Sequence, residues 1–395
     1  MLVIVAPGQG AQTPGFLSPW LEDPAFAARL EWLSTVAGID LIDHGTNSDA
    51  ETIRATEIAQ PLLVATGLVA ALELFPQPAD AFGRIGAVAG HSVGEITAAA
   101  GARAITAEQA MVLVRERGKA MAEAAAKTPT GMTAVLGGVR EEVLAKIEQH
   151  GLTPANDNGP GQIVAAGTKE QLEAFAADAP AKARLMPLSV AGAFHTVHME
   201  PAVGHLARLS RSVSVHDPRT RVISNKDGQI VHSGVEVLSR IVGQIANPVR
   251  WDLCLDTMAD LGVTGILEMP PAGTLTGIAK RALKGVETFA LKTPDQLDDA
   301  RAFVEKHGED DNPIATTPTW RMVVAPAKGT FKMADAVAGL EILPAATEIG
   351  GIASLRDTIS VIAAHGGQVV EWLVEDGDPV SPGQPLLRLH PEGTY

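Results

Sequence analysis

The feature that most constrains this chain is a repeated local pattern. A short, wholly apolar run ends in a glycine-rich turn, and an amphipathic or apolar helix follows. Leu2 to Ala6 is such a run, closed by Pro7 and Gly8, and Gly86 to Ala89 is another, closed by Gly90. Apolar runs of four or five residues without polar alternation suit strands buried on both faces, and strands alternating with helices predict an α/β core around a parallel sheet. Asp23 to Ala37, Gln60 to Phe75 and Val93 to Ala102 read as helices, and Thr106 with Gln109 three residues on opens a fourth, running to Ala126, with a capping box. Arg221–Ser224, Gly234–Ile245, Arg250–Leu261 and Gly265–Met269 return to the same alternation later in the chain.

Between residues 131 and 190 the pattern changes to strand, helix, strand, strand, helix, strand, the ferredoxin-like order, which predicts a small subdomain inserted into the core. The core is expected over residues 1–130 and 191–295. Residues 296–318 read as an acidic, proline-containing linker. Residues 319–395 read as a small all-β domain whose strands are separated by Glu375-Asp-Gly-Asp378 and Ser381-Pro-Gly-Gln384 turns.

Composition limits the partners. The net charge of −15 argues against nucleic acid or an anionic membrane as the main partner, and aromatic residues at 4% leave little for stacking on bases. The one cysteine, Cys254, permits no internal disulfide, which fits a reducing cytosol. The N-terminal apolar run is too short for a signal peptide. The longest apolar stretch, Leu62 to Leu72, is half a membrane span and reads as a buried helix, so a cytoplasmic enzyme without a membrane is expected.

Gly90-His91-Ser92-Val93-Gly94 is G-x-S-x-G between an expected strand and an expected helix. A serine on so tight a turn projects its hydroxyl from the sheet, and the helix start behind it supplies free N–H groups. The pattern alone also fits a structural glycine turn. Gly8-Gln9-Gly10-Ala11-Gln12 offers backbone donors at the same edge of the sheet; a plain β–α turn reads the same way, whereas a phosphate-binding loop would need the third Gly and the Lys that are missing here. His195, in Gly192-Ala-Phe-His195, is a loop histidine able to serve as a base, one among eleven histidines.

Together, Pro7-Gly-Gln-Gly-Ala-Gln12, Gly90-His-Ser-Val-Gly-Glu95, Arg115-Glu-Arg-Gly118, Gly192-Ala-Phe-His195 and Gln244-Ile-Ala-Asn-Pro248 resemble the malonyl-CoA:acyl carrier protein transacylase family, in order, from Val3 to about Pro294. The resemblance implies Ser92 as nucleophile and His195 as base, with the backbone N–H groups of Gln9 and Val93 as oxyanion hole. It implies that Arg117 holds the malonyl carboxylate, that a carbonyl near Gln244 orients the histidine, and that Phe194, His91 and Met121 line the pocket. The substrate would be malonyl-CoA, the acceptor the phosphopantetheine thiol of holo acyl carrier protein, with no permanent cofactor and no metal. Lys280, Arg281 and Lys284 form a basic cluster suited to an acidic carrier, or simply a helix end favoured by its dipole. A serine hydrolase on the same elbow and an inactive scaffold are the other readings.

The C-terminal segment, with Val324-Ala-Pro326 and Gly367 to Asp378, resembles a biotinyl- or lipoyl-carrier domain. Arg356 stands where that family carries its acceptor lysine, and no lysine follows Lys332. A guanidinium stays protonated and is no amine nucleophile, so neither biotin nor lipoate is expected.

Overall fold

The computed structural model describes residues 1–308, 321–354 and 357–391, which divide into two compact units with the boundary at residues 312–313. The first is the α/β unit. Its main sheet has six strands in the order Glu287–Ala290, Gly265–Glu268, Leu2–Ala6, Ile85–Gly90, Arg221–Ile223 and Ile230–Val231. All neighbours are parallel except the last pair. The two apolar runs read from the sequence are thus the central strands, aligned so that Ala6 pairs with Gly90. Both glycine turns therefore leave the same carboxyl edge, where open α/β sheets place their sites.

Helices pack on the sheet, and two of them position the site. Ala107–Ala125 starts at Thr106, whose side chain accepts from Gln109 N while Gln109 closes the box. Its buried face carries Ala110, Met111, Val114, Arg117, Gly118 and Met121. Thr56–Leu74 runs against it, and Gly118 allows the approach, since a Cβ there would meet Glu57 Cα at 3.0 Å. Thr56–Leu74 is longer than the stretch read from the sequence and is long and apolar enough to cross a membrane. Most of its side chains are buried within this unit, where Leu62 to Ala65 and Leu68 to Ala70 form part of the largest core cluster.

The inserted subdomain has a sheet ordered Ala183–Pro187, Thr130–Gly137, Gln162–Thr168, Thr153–Asp157 and Val249–Arg250. The first four strands are antiparallel neighbours, with helices Arg140–Gln149 and Lys169–Ala177 between them in sequence. Val135, Val143, Ile147 and Phe175 form a separate small core. The fifth strand comes from outside the insertion, later in the same unit, and pairs in parallel, Asn156 opposite Val249. Two residues gave no periodicity to recognise it by, and it anchors the end of Thr153–Asp157 beside the site.

One expectation is corrected. Residues 297–307 of the stretch read as linker are a helix, Leu297–His307, with Ala300, Val304 and His307 buried. Its charged residues lie on the solvent face, which made the stretch look like linker while its few apolar positions make one contacting face. The rest of the stretch, from residue 309, lies outside the described residues.

The second unit is all-β. One four-stranded sheet is ordered Arg321–Val324, Pro385–Pro391, Gly367–Trp372, Ile342–Leu343, and the other Thr358–Ala363, Thr347–Ala353, Gly329–Met333, Pro379–Val380. Phe331, Leu343, Ile349, Ile352, Leu386 and Leu387 fill the core. Ser354 and Asp357 close the turn between two strands, Ser354 N donating to Asp357 O at 2.8 Å. Arg356, at the expected acceptor position, lies outside the described residues.

Candidate active site

Ser92 sits between strand Ile85–Gly90 and helix Gly94–Gly101 with φ of 55°, a left-handed conformation that is strained for a residue with a side chain. The flanking glycines are steric requirements. A Cβ on Gly90 would lie 1.9 Å from Gly94 C, and one on Gly94 would lie 2.2 Å from Ala6 O. This is the tight strand–turn–helix that G-x-S-x-G demands. The strained turn is held by Asn225, which is fully buried. Its Oδ1 accepts from Ser92 N at 2.8 Å, and its Nδ2 donates to Gly90 O at 2.8 Å.

His195, also with a left-handed φ of 61°, reaches across 103 positions to place Nε2 at 2.7 Å from Ser92 Oγ. Its Nδ1 lies 2.8 Å from the backbone oxygen of Gln244, at the end of helix Gly234–Gln244. A carbonyl only accepts, so Nδ1 carries the proton and Nε2 turns its lone pair to the serine. Burial, then the Arg117 charge, push the His195 imidazole down to about 3, so the ring is held neutral.

Arg117 is 1% exposed. Its Nη1 donates to Gln60 Oε1 at 2.7 Å and its Nη2 to Gln244 Oε1 at 2.9 Å, while Nη2 stands 3.4 Å from Ser92 Oγ. Burial lowers its pKa to about 10, and the Glu95 charge opposes that, so the guanidinium stays charged at neutral pH. Glu95 is buried beside it, with Asn225 N donating to Oε1 at 2.6 Å and Gln244 Nε2 to Oε2 at 2.5 Å. Burial raises this carboxyl to about 7 despite those donors and the Arg117 charge.

The backbone N–H groups of Gln9 and Val93 donate to no protein acceptor among the described residues, whereas those of His91, Ser92 and Gly94 all do. The Gln9 side chain is tied to Arg54 O at 2.8 Å, which fixes the Gly8–Gly10 turn. His91 Nε2 contacts Asn158 Oδ1 at 2.8 Å across the boundary with the inserted subdomain, and its ring meets Trp251 edge-on. Burial lowers its pKa. Phe194 and Met121 are buried, Met121 Sδ accepting from Gln60 Nε2 at 3.6 Å.

The structure thus gathers Ser92, His195, Arg117 and Gln244 at one point, with Val93 on the elbow turn itself. It does not bring Lys280, Arg281 and Lys284 there. They are exposed at the end of helix Thr274–Ala282, where Arg281 Nη2 donates to Gln162 Oε1 at 2.9 Å. Sequence reasoning missed Asn225, Glu95, Gln60 and Asn158. Glu95 stood inside a quoted motif, and its place three residues after Ser92 was the available signal. The others carry no local pattern. Among the described residues no cluster of three or more His, Cys, Asp or Glu could hold a metal ion.

A strained serine on a strand–helix turn, a neutral histidine at hydrogen-bond distance and free backbone donors define a serine acyltransferase or hydrolase site. The chain belongs to the acyl transferase domain family, whose model matches residues 3–306, and so includes most of the helix Leu297–His307 that the sequence reading had left outside. It is 49% identical over 299 residues to the malonyl CoA-acyl carrier protein transacylase of Mycobacterium tuberculosis, covering 76% of this chain and 99% of the relative. The crystal structure of that organism's MCAT superposes with a TM-score of 0.74 at 48% identity, over 76% of this chain and 99% of the other. A type II polyketide synthase acyl-carrier protein in complex with its malonyl-transacylase gives 0.71 at 30% identity, over 76% and 99%. The second, all-β unit lies beyond the residues matched by the family model.

Proposed function

We propose that this chain is an [acyl-carrier-protein] S-malonyltransferase, moving malonyl from coenzyme A to the phosphopantetheine thiol of holo acyl carrier protein through a malonyl-Ser92 ester. The observation that carries this is the buried Arg117 guanidinium 3.4 Å from Ser92 Oγ. A hydrolase of neutral esters has no use for a cation there, whereas a dicarboxylic acyl group presents a free carboxylate that pairs with it.

Each residue then has a role set by its chemistry. Ser92 Oγ attacks the thioester carbonyl as its proton passes to His195 Nε2, and the carbonyl π electrons move to oxygen. The N–H groups of Gln9 and Val93 stabilise that oxyanion; losing one such donor typically costs about 3–4 kcal/mol of transition-state stabilisation. Collapse expels the coenzyme A thiolate, which takes the proton back from His195. The carrier's thiol repeats the sequence in reverse, so kinetics are ping-pong. Phe194, His91 and Met121 wall the acyl pocket, and the Phe194 ring leaves little room for a branched acyl group. Gln244 orients His195 through its carbonyl and Arg117 through its side chain.

The chain acts in the cytoplasm in fatty acid or polyketide synthesis, with no metal. The Lys280, Arg281 and Lys284 cluster steers the acidic carrier protein. The second unit is a carrier-like domain that takes neither biotin nor lipoate. The test is acceptor choice. One malonyl group per chain should form rapidly, persist in buffer, and discharge on addition of holo carrier protein. Steady release of free malonate without a carrier would favour the hydrolase instead.

A further inference from the structure

Away from Ser92, the α/β unit contains an open cavity of about 540 Å³ between the sheet and its covering helices. Ligand sites of small molecules run from roughly 300 to 1,000 Å³ and are mainly apolar with a few polar groups at one end. The room comes from small side chains, among them Gly67, Ala71, Ala98 and Gly101, and none of Ser92, His195, Arg117 or Gln244 lines it. The mouth is polar on a greasy wall. Trp32 is 56% exposed there and its Nε1 reaches Glu108 Oε1 at 3.4 Å.

Two arginines stand at the lining. The Arg29 charge is met by Glu73. Arg103 has its guanidinium carbon 5.6 Å from the centroid of the Phe82 ring and pairs with no carboxylate among the described residues. In a chain of net charge −15, an unneutralised guanidinium held over the aromatic edge of an apolar cavity selects an anionic head on an apolar body. We propose that this cavity binds an aliphatic chain bearing an anionic head, the chain filling the space beside Gly67 and Ala98 and the head at Arg103. Burying an alkyl chain contributes about 0.8 kcal/mol per CH₂, so a medium-length chain suffices for specific binding.

The chemistry has two sources, a free carboxylic acid or an acyl thioester, and the experiment separates them. Dodecanoate below its micellar concentration is titrated into the full-length chain by calorimetry, with thermal unfolding alongside, and dodecanoyl-CoA and 1-dodecanol are run in parallel. Saturable binding with a rise in Tm is expected. Ala71→Leu, which fills the space, should weaken it about tenfold or more. Arg103→Gln should weaken dodecanoate about threefold to fivefold and leave 1-dodecanol unchanged. Both variants should keep wild-type malonyl turnover, which shows that they fold. Tighter binding of dodecanoyl-CoA that is lost in Ala71→Leu assigns the thioester; tighter binding of dodecanoate assigns the free acid. Absence of saturable binding, or binding indifferent to Ala71→Leu, overturns the proposal.

Discussion

His195 Nδ1 is oriented by the main-chain oxygen of Gln244 at 2.8 Å, and the side chain of the same Gln244 accepts from Arg117 at 2.9 Å. One residue therefore holds the imidazole through its backbone and the buried Arg117 guanidinium through its amide. The two jobs are separable by mutation. Gln244→Ala should leave His195 oriented, so a small sulfonyl fluoride should still label Ser92 at a near wild-type rate. Transfer of malonyl should fall about 10- to 100-fold in kcat/KM, because Arg117 and Glu95 each lose a buried partner. Equal losses in both assays would show that the side chain, whose Nε2 also donates to Ser92 O at 3.1 Å, positions the Ser92–His195 pair as well.

Arg117→Ala should raise KM for malonyl-CoA and lower kcat/KM about 10- to 100-fold, the worth of hydrogen bonds to a charged group. Acetyl-CoA, which cannot pair with the guanidinium, should lose little or gain. Steady-state kinetics with both thioesters measure the ratio. An unchanged preference for malonyl would remove Arg117 from substrate recognition.

Asn225 ties the strained serine turn to the sheet through Ser92 N and Gly90 O. Asn225→Ala should cost about 1–3 kcal/mol of stability by leaving buried partners unsatisfied, and should slow acylation more than it changes KM. Thermal unfolding with single-turnover acylation reads both. A wild-type acylation rate in a destabilised protein would confine Asn225 to folding.

The acid side of the pH profile should belong to Glu95. Burial and the Arg117 charge hold the His195 imidazole down to about 3, so it stays an available base far below neutrality. Burial raises the Glu95 carboxyl to about 7, so falling pH protonates it, removes its charge beside Arg117 and weakens the acceptor that anchors Gln244. In kcat/KM the wild type should lose activity as pH drops through about 7. Glu95→Gln should be slower throughout and show no such limb. A limb that survives in Glu95→Gln would belong to the histidine.

Much of this was legible in the sequence, for identifiable reasons. The strands Leu2–Ala6 and Ile85–Gly90 announce themselves because burial on both faces removes polar alternation. Ser92 and its glycines are local, since the whole constraint lies within five residues. His195 and Arg117 were found by motif order, because nothing in their own neighbourhoods says that they meet. Asn225 was not found: its partners lie 133 and 135 positions away, and a buried asparagine after a three-residue strand has no signature. The helix Leu297–His307 was missed because its solvent face is acidic, and strand Val249–Arg250 because it has only two residues.

The most direct test is where the acyl group goes. Intact-mass measurement after brief exposure to malonyl-CoA should show one malonyl group added to the wild-type chain, with proteolysis placing it on the peptide that holds Ser92. The Ser92→Ala chain should remain unmodified. An adduct of the same size and rate on Ser92→Ala would contradict the assignment of this hydroxyl as the nucleophile, and with it the roles given to His195 and Arg117.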